Sequence, residues 1–212
     1  MSAQLNYDYR TPKGVAGGLY DISFSKVETR TNEENDGVLK YGMAVAVGTV
    51  PGTNVKVPAT GTTAEKIEGI AIKAANTEQD MKGKLNVVNN ASISVLKKGS
   101  VWGRTAEGAA PTYKGKAYVV IDGEYAGCFT SNASAYTHHE KCESSTSGAL
   151  KVIANTESVS GSQIKLENVV AATGYTPAVG DYVVAKQVHG TTVDFGATFG
   201  NETDNGIAVI NL

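Results

Sequence analysis

Residues 117–129, AYVVIDGEYAGCF, decide the fold class. Two apolar runs flank the dipeptide Asp122-Gly123, and Asp-Gly favours the positive-φ turn whose twist matches that of neighbouring antiparallel strands. The stretch therefore predicts a β-hairpin that turns at Asp122-Gly123.

Similar short apolar runs, bounded by Gly, Asn, Asp and Thr, recur on both sides of this hairpin. Ala91, Ile93 and Val95 alternate with serines, which is typical of a strand with one polar face. Predicted strands cover residues 19–24, 43–47, 69–73, 91–97, 117–121, 125–130, 150–154, 163–167, 182–186, 193–195 and 206–210. Helical signals are weak and confined to residues 62–68 and 77–81. We predict an all-β fold, a β-sandwich or barrel of many short strands with Gly-rich turns.

Composition narrows the possible functions. The 212 residues are 41% apolar and 19% charged, with 24 Gly and 5 Pro, values typical of a globular domain with many tight turns. The net charge of −2 argues against nucleic-acid binding, which needs a basic surface, and Lys97-Lys98 is the densest basic cluster. No stretch approaches the ~20 continuous apolar residues of a membrane span. The first ten residues do not resemble a secretory signal, so we expect synthesis and folding in a cytosol.

The pattern along the chain predicts three parts. Residues 1–13 form an extended N-terminal arm in which Leu5, Tyr7 and Tyr9 alternate with polar residues, although a frayed terminus would share this composition. Residues 14–130 and 193–212 form the main β domain. Residues 131–192 begin with a polar, aperiodic stretch and are an insertion or an extra β lobe, or a continuation of the same sandwich.

No catalytic motif occurs, and we predict no enzyme and no cofactor. His138, His139, Cys142 and Cys128 are residue types that bind zinc, but their spacing matches no common finger and adjacent residues of an extended segment point in opposite directions. A solvated loop, with Cys128 buried nearby and both thiols free, is the favoured interpretation. The single tryptophan, Trp102, could form a carbohydrate-binding platform, but we expect a core or interface aromatic.

The order of several segments resembles that of the structural cement, or capsid decoration, proteins of tailed phages. The segments are GVAGGLY (14–20), LKYGMAVAVG (39–48), GIAI (69–72), SISVLKKG (92–99), the strand pair 117–129, GATF (196–199) and GIAVINL (206–212). The resemblance covers residues 14–130 and 193–212, and the stretch between them is longer than the family leads us to expect.

The resemblance implies a virion protein that binds the outer face of the expanded capsid between major capsid protein subunits and stabilises the head. It also implies a trimer, made in the bacterial host cytoplasm, that needs no active site. We expect the arm to contact the capsid through Leu5, Tyr7 and Tyr9 as anchors and Arg10 as a polar clamp. The alternatives are another virion component, such as a tail or baseplate protein, and a carbohydrate-binding module or β-fold hydrolase.

Overall fold

A computed structural model describes residues 14–21, 24–73, 87–172 and 174–212. These residues form an all-β protein, as predicted, with fifteen strands and two single-turn 3-10 helices. The predicted capsid-contact residues Leu5, Tyr7, Tyr9 and Arg10 lie outside the described residues, as does the weak helical signal at 77–81. The other helical signal, at 62–68, contains one 3-10 turn, Ala64–Lys66.

The strands are short and follow the chain in this order: β1 (Lys26–Asn32), β2 (Ala44–Val47), β3 (Asn54–Lys56), β4 (Ile67–Ile72), β5 (Ser92–Lys98), β6 (Ser100–Arg104), β7 (Tyr118–Val120), β8 (Phe129–Thr130), β9 (Tyr136–Cys142), β10 (Leu150–Ile153), β11 (Gln163–Lys165), β12 (Tyr182–His189), β13 (Thr192–Val193), β14 (Thr198–Asp204) and β15 (Ile207–Asn211).

The first five strands close into a barrel in the order β1-β3-β2-β4-β5. One core cluster includes Val45, Val55, Ala71 and Val95, one from each of four strands, and all four are fully buried. Successive residues of a β-strand point to opposite faces, so along each strand these core residues alternate with residues that point away from the barrel interior. The inside of the barrel is therefore filled by apolar side chains.

The opposite face of β4 and β5 packs against two three-stranded sheets, β14-β15-β6 and β13-β7-β8. The shared core contains Phe129 and Phe199, which are both fully buried, together with Ile70, Leu96 and Ile210. This second cluster joins the barrel to the C-terminal strands.

The hairpin predicted at residues 117–129 exists, but its turn is longer than predicted. Strands β7 and β8 pair antiparallel with Val119 opposite Phe129, so residues 121–128 form the connection. Gly123 has φ +70°, whereas Asp122 is not in the positive-φ region that a two-residue type I′ turn requires. The Gly127 carbonyl accepts a hydrogen bond from Ala44 of β2, which holds the loop against the barrel in place of a tight turn.

Residues 136–189 contribute a four-stranded sheet in the order β11-β10-β12-β9. Strand β9 lies in the stretch 131–148 that we expected to be a solvated loop, and that expectation is wrong. Its backbone pairs with β12 along nearly its whole length, from Cys142 opposite Tyr182 to Tyr136 opposite His189. Cross-strand hydrogen bonds to β12 therefore hold β9 in an extended conformation, although its sequence does not alternate between apolar and polar residues.

Candidate interaction surface

Residues 14–21, here called the strap, lie along the edge of β6 and make one isolated β-bridge to it, Leu19 opposite Val101, where we predicted a strand over residues 19–24. The Gly17 amide donates to the Trp102 carbonyl at 2.7 Å, and the Trp102 amide donates to the Gly18 carbonyl at 2.9 Å. The Tyr20 amide donates to the Ser100 carbonyl at 2.9 Å. The strap thereby covers an edge that would otherwise expose unpaired backbone groups.

Trp102 holds the start of the strap. Its indole is 5% exposed, and the Tyr20 ring meets it in an edge-to-face arrangement with centroids 5.8 Å apart. Gly14 lies so close to the indole that a Cβ would overlap the ring. Trp102 is thus a core aromatic, one of the two positions that we predicted, and its burial overturns the alternative of an exposed platform for a sugar.

A second contact fixes the strap to the barrel. Gly17, with φ +79°, packs against Gly42 and Tyr41, and its carbonyl accepts a hydrogen bond from the Lys73 amide at 2.8 Å. A side chain at position 17 would be strained by the backbone and would collide with the Tyr41 Cβ. The strap is therefore anchored at both the β6 sheet and the end of β4.

The outward side of this region is apolar. The described residues contain twelve large apolar side chains that are exposed, and five of them fall within residues 15–27. These five, here called the strap patch, are Val15 (55% exposed), Leu19 (46%), Tyr20 (40%), Phe24 (80%) and Val27 (41%). Such a concentration on the strap and the start of β1 is typical of an interaction site, since scattered single residues are the usual pattern on a monomer surface.

Strand pairing places two members of the patch beside β6 and β5. Leu19 bridges to Val101 of β6, Ser25 lies against Gly99, and Val27 pairs with Leu96 of β5. The exposed Lys98 lies opposite the exposed Lys26 in the same ladder. Two lysines therefore lie next to Val27, and charged residues beside apolar ones are common at protein interfaces.

The candidate zinc ligands do not converge. His138 and His139 lie on opposite faces of β9, as expected for an extended segment: His138 is buried between Glu107 and Glu140, and the Nδ1 of His139 accepts a hydrogen bond from the Val170 amide. Both thiols are free, and burial raises the pKa of Cys128 to about 11. Within the part of the chain that the structure describes, no three His, Cys, Asp or Glu side chains form a possible metal site.

The Lys97-Lys98 cluster is not a phosphate site either. Lys97 pairs with Glu68, and its Nζ lies 3.8 Å from Oε2 of Glu28, so its charge is held among neighbouring carboxylates. Lys98 is exposed to solvent, as expected for a strand end. No helix among the described residues is long and apolar enough to cross a membrane.

A family model matches nearly the whole chain. The family model described as structural cement protein (E217 gp24/Pam3 gp6) matches residues 3–212. The match runs through residues 131–192, which the resemblance noticed in the sequence had left out. No curated protein matches the chain.

The fold is also found in a solved capsid structure. A chain in the capsid of Myoviridae phage XM1 superimposes with a TM-score of 0.56 and 15% sequence identity, over 100% of this chain and 97% of that chain.

Proposed function

We propose, from the premise that this chain belongs to the phage structural cement protein family, that it binds the outer surface of the expanded capsid between major capsid protein subunits and stabilises the head. Family membership makes it a structural, capsid-associated protein of the virion. The site of attachment and the stabilising role are our proposal, and so is synthesis in the cytoplasm of the bacterial host.

The strap patch is the observation that carries this proposal. The five side chains are apolar and exposed, and three of them, Val15, Leu19 and Tyr20, lie on the strap, whose backbone is fixed by contacts with Trp102 and Gly42. Full burial of one such side chain contributes roughly 1.5–3 kcal/mol. Because a fixed segment loses little conformational entropy on docking, most of this free energy remains available for binding.

The N-terminal arm would extend the same contact. It joins the strap at Gly14, and thirteen fully extended residues would span at most ~47 Å, enough in this proposal to reach a neighbouring capsid subunit. In this proposal Leu5, Tyr7 and Tyr9 are apolar anchors and Arg10 pairs with a carboxylate or backbone carbonyl of the capsid. Modest contacts of this kind, repeated over a lattice, resist internal pressure through avidity.

Domain organisation and assembly follow the same reasoning. We propose that residues 14–130 and 193–212 form the capsid-binding domain and that residues 131–192 form an inserted lobe containing strands β9 to β12. A trimer is the assembly that the family resemblance implies, and light scattering of the purified protein would measure its mass.

Cosedimentation with expanded capsids that lack this protein tests the proposal. The double variant Leu19→Ser/Phe24→Ser should bind at least tenfold more weakly than the unmodified chain, on the order expected from two buried apolar side chains. Tyr113→Ser is the matched control, since Tyr113 is 67% exposed and lies outside the strap patch. Equal binding by all three proteins would show that the strap patch is not part of the capsid-binding surface.

A further inference from the structure

One edge of the barrel is open along most of β1. Strand β1 pairs with β5 from Lys26 to Thr31, but with β3 only through Thr31 and Asn32. Among the described residues, no strand therefore lies beside the other edge of residues 26–30, here called the open edge. An uncovered strand edge presents backbone groups that can pair with another chain.

The amides of Val27 and Thr29 point out from the open edge. The Thr31 amide, further along β1, points away from β5 and donates to the Thr53 carbonyl at 2.9 Å. The register with β5 is regular from Val27 to Thr31, and successive residues of an antiparallel strand direct their amides to alternate edges. The amides of Val27 and Thr29 therefore face the same way as that of Thr31, and no described residue accepts a hydrogen bond from them.

The open edge continues the strap patch. Val27 belongs to both, Thr29 is exposed, and Phe24, which is 80% exposed, lies just before β1. The Thr29 carbonyl accepts a hydrogen bond from the Arg30 guanidinium at 3.0 Å, which leaves the two amides and the Val27 carbonyl available for pairing. Free backbone groups beside exposed apolar side chains are the features that strand addition uses.

The charge beside the open edge is positive. Lys98 of β5 is exposed, lies opposite Lys26 and forms no ion pair with a described residue, whereas the Lys26 Nζ lies 3.0 Å from Oε1 of Glu28. A carboxylate on an incoming segment would pair with Lys98. A second copy of this chain would bring the same lysines to the contact, so charge favours a different chain over self-association.

We propose that an extended, carboxylate-bearing segment of the major capsid protein adds to β1 as a further strand. It accepts hydrogen bonds from the Val27 and Thr29 amides, packs on Phe24 and pairs with Lys98. This inference rests on the proposed function and specifies the conformation and charge of the partner at the strap patch. In strand addition the backbone bonds supply affinity and alternate side chains supply specificity.

Thr29→Pro and Thr29→Ala form a matched pair for the test. Both remove the threonine side chain, but only proline removes the outward amide and places a ring where the added strand would lie. Proline is tolerated at a sheet edge, because the amide that it lacks is not used in pairing with β5. In cosedimentation with expanded capsids that lack this protein, Thr29→Pro should bind about tenfold more weakly than Thr29→Ala, on the order expected for one lost hydrogen bond.

The outcomes separate this inference from the proposed function. Equal binding by Thr29→Pro and Thr29→Ala would overturn strand addition and leave capsid binding in place. Absence of binding by the unmodified chain would contradict both.

Charge reversal tests the carboxylate on the partner. Lys98→Glu should bind about threefold more weakly than Lys151→Glu, which reverses an exposed lysine on β10 and gives the same net charge. Equal binding by these two variants would show that the partner places no carboxylate at Lys98.

Hydrogen exchange of the unmodified chain tests the open edge without relying on a variant. In the free protein the amides of Val27 and Thr29 should exchange faster than those of Glu28 and Arg30, which face β5. Capsid binding should slow exchange at Val27 and Thr29 by about tenfold or more. Protection already present in the dilute free chain would show that its own arm covers the edge, and protection that grows with concentration would show that a second copy does. Either result would overturn the proposal.

Discussion

Gly14 packs against the indole ring of Trp102, with no room between them for a Cβ. This contact fixes the point at which the chain enters the strap, and Tyr20 at the far end of the strap meets the same ring edge-to-face. Trp102 therefore links the buried β6 sheet to the segment that carries the exposed strap patch.

Gly14→Ala should displace the strap from Trp102. Because Trp102 is the only tryptophan, its fluorescence reports this contact directly: emission should shift to the red and acrylamide quenching should increase. Val15→Ala changes an exposed neighbour and should leave the spectrum unchanged. Emission from Gly14→Ala indistinguishable from that of the unmodified chain would show that the strap is not held by this ring.

Phe129 and Phe24 should differ sharply in their effect on stability. Phe129 is fully buried in the core shared by the barrel and the C-terminal strands, so Phe129→Ala should lower the free energy of unfolding by about 3–5 kcal/mol. Phe24 is 80% exposed, and Phe24→Ala should change that free energy by less than about 0.5 kcal/mol. Urea denaturation measures both, and a similar loss in the two variants would contradict this assignment of core and surface.

Cys128 should resist alkylation in the folded protein. Burial raises its pKa to about 11, so roughly one thiol in a thousand is ionised at pH 8, and the thiolate is the reactive form. Cys142 is less buried than Cys128 and should be modified first by iodoacetamide, as peptide mass spectrometry would show. In urea both thiols should react at similar rates. Equal rates in the native protein would contradict the buried position of Cys128.

Asp181 should make the β9–β12 sheet sensitive to acid. Its carboxylate is bonded to Lys141 at 2.7 Å, to the Tyr175 hydroxyl at 2.9 Å and to the Ala178 amide at 3.1 Å. The ion pair with Lys141, followed by the Tyr175 hydrogen bond, lowers the pKa of Asp181 below its ordinary value near 3.8.

A carboxylate whose pKa is lowered by folding stabilises the folded protein at pH values above its ordinary pKa. This contribution is lost as the pH falls through the lower pKa of the folded state. The urea midpoint of the unmodified chain should therefore exceed that of Asp181→Asn at neutral pH, and the difference should shrink below about pH 4. A difference that stays constant down to pH 2 would contradict this role for the carboxylate.

Local pattern predicted those strands that have one buried and one polar face. β5 is the clearest example, because Ile93 and Val95 point into the barrel core while Ser92 is exposed. β9 and β1 were missed because their sequences, YTHHEKC and KVETRTN, are mostly polar. Such strands are specified by their partners, β12 and β5, and partner choice is a long-range property that no local pattern contains.

β6 was missed for a different reason. Gly103 lies where a Cβ would collide with Ile210 and come within 3.0 Å of the Phe129 ring, so a small residue is needed inside the strand. In sequence, Gly99 and Gly103 on either side of Trp102 indicate a turn. The strap patch could not be predicted without β6, since the exposure of Leu19 depends on how the strap docks on that strand.

Cryo-electron microscopy of expanded capsids, first lacking this protein and then incubated with it, tests the central claim most directly. The account predicts regular density on the outer face at the junctions between major capsid protein subunits, with Leu19 and Phe24 covered by the capsid. Capsids without such density, or density confined to the tail, would contradict it.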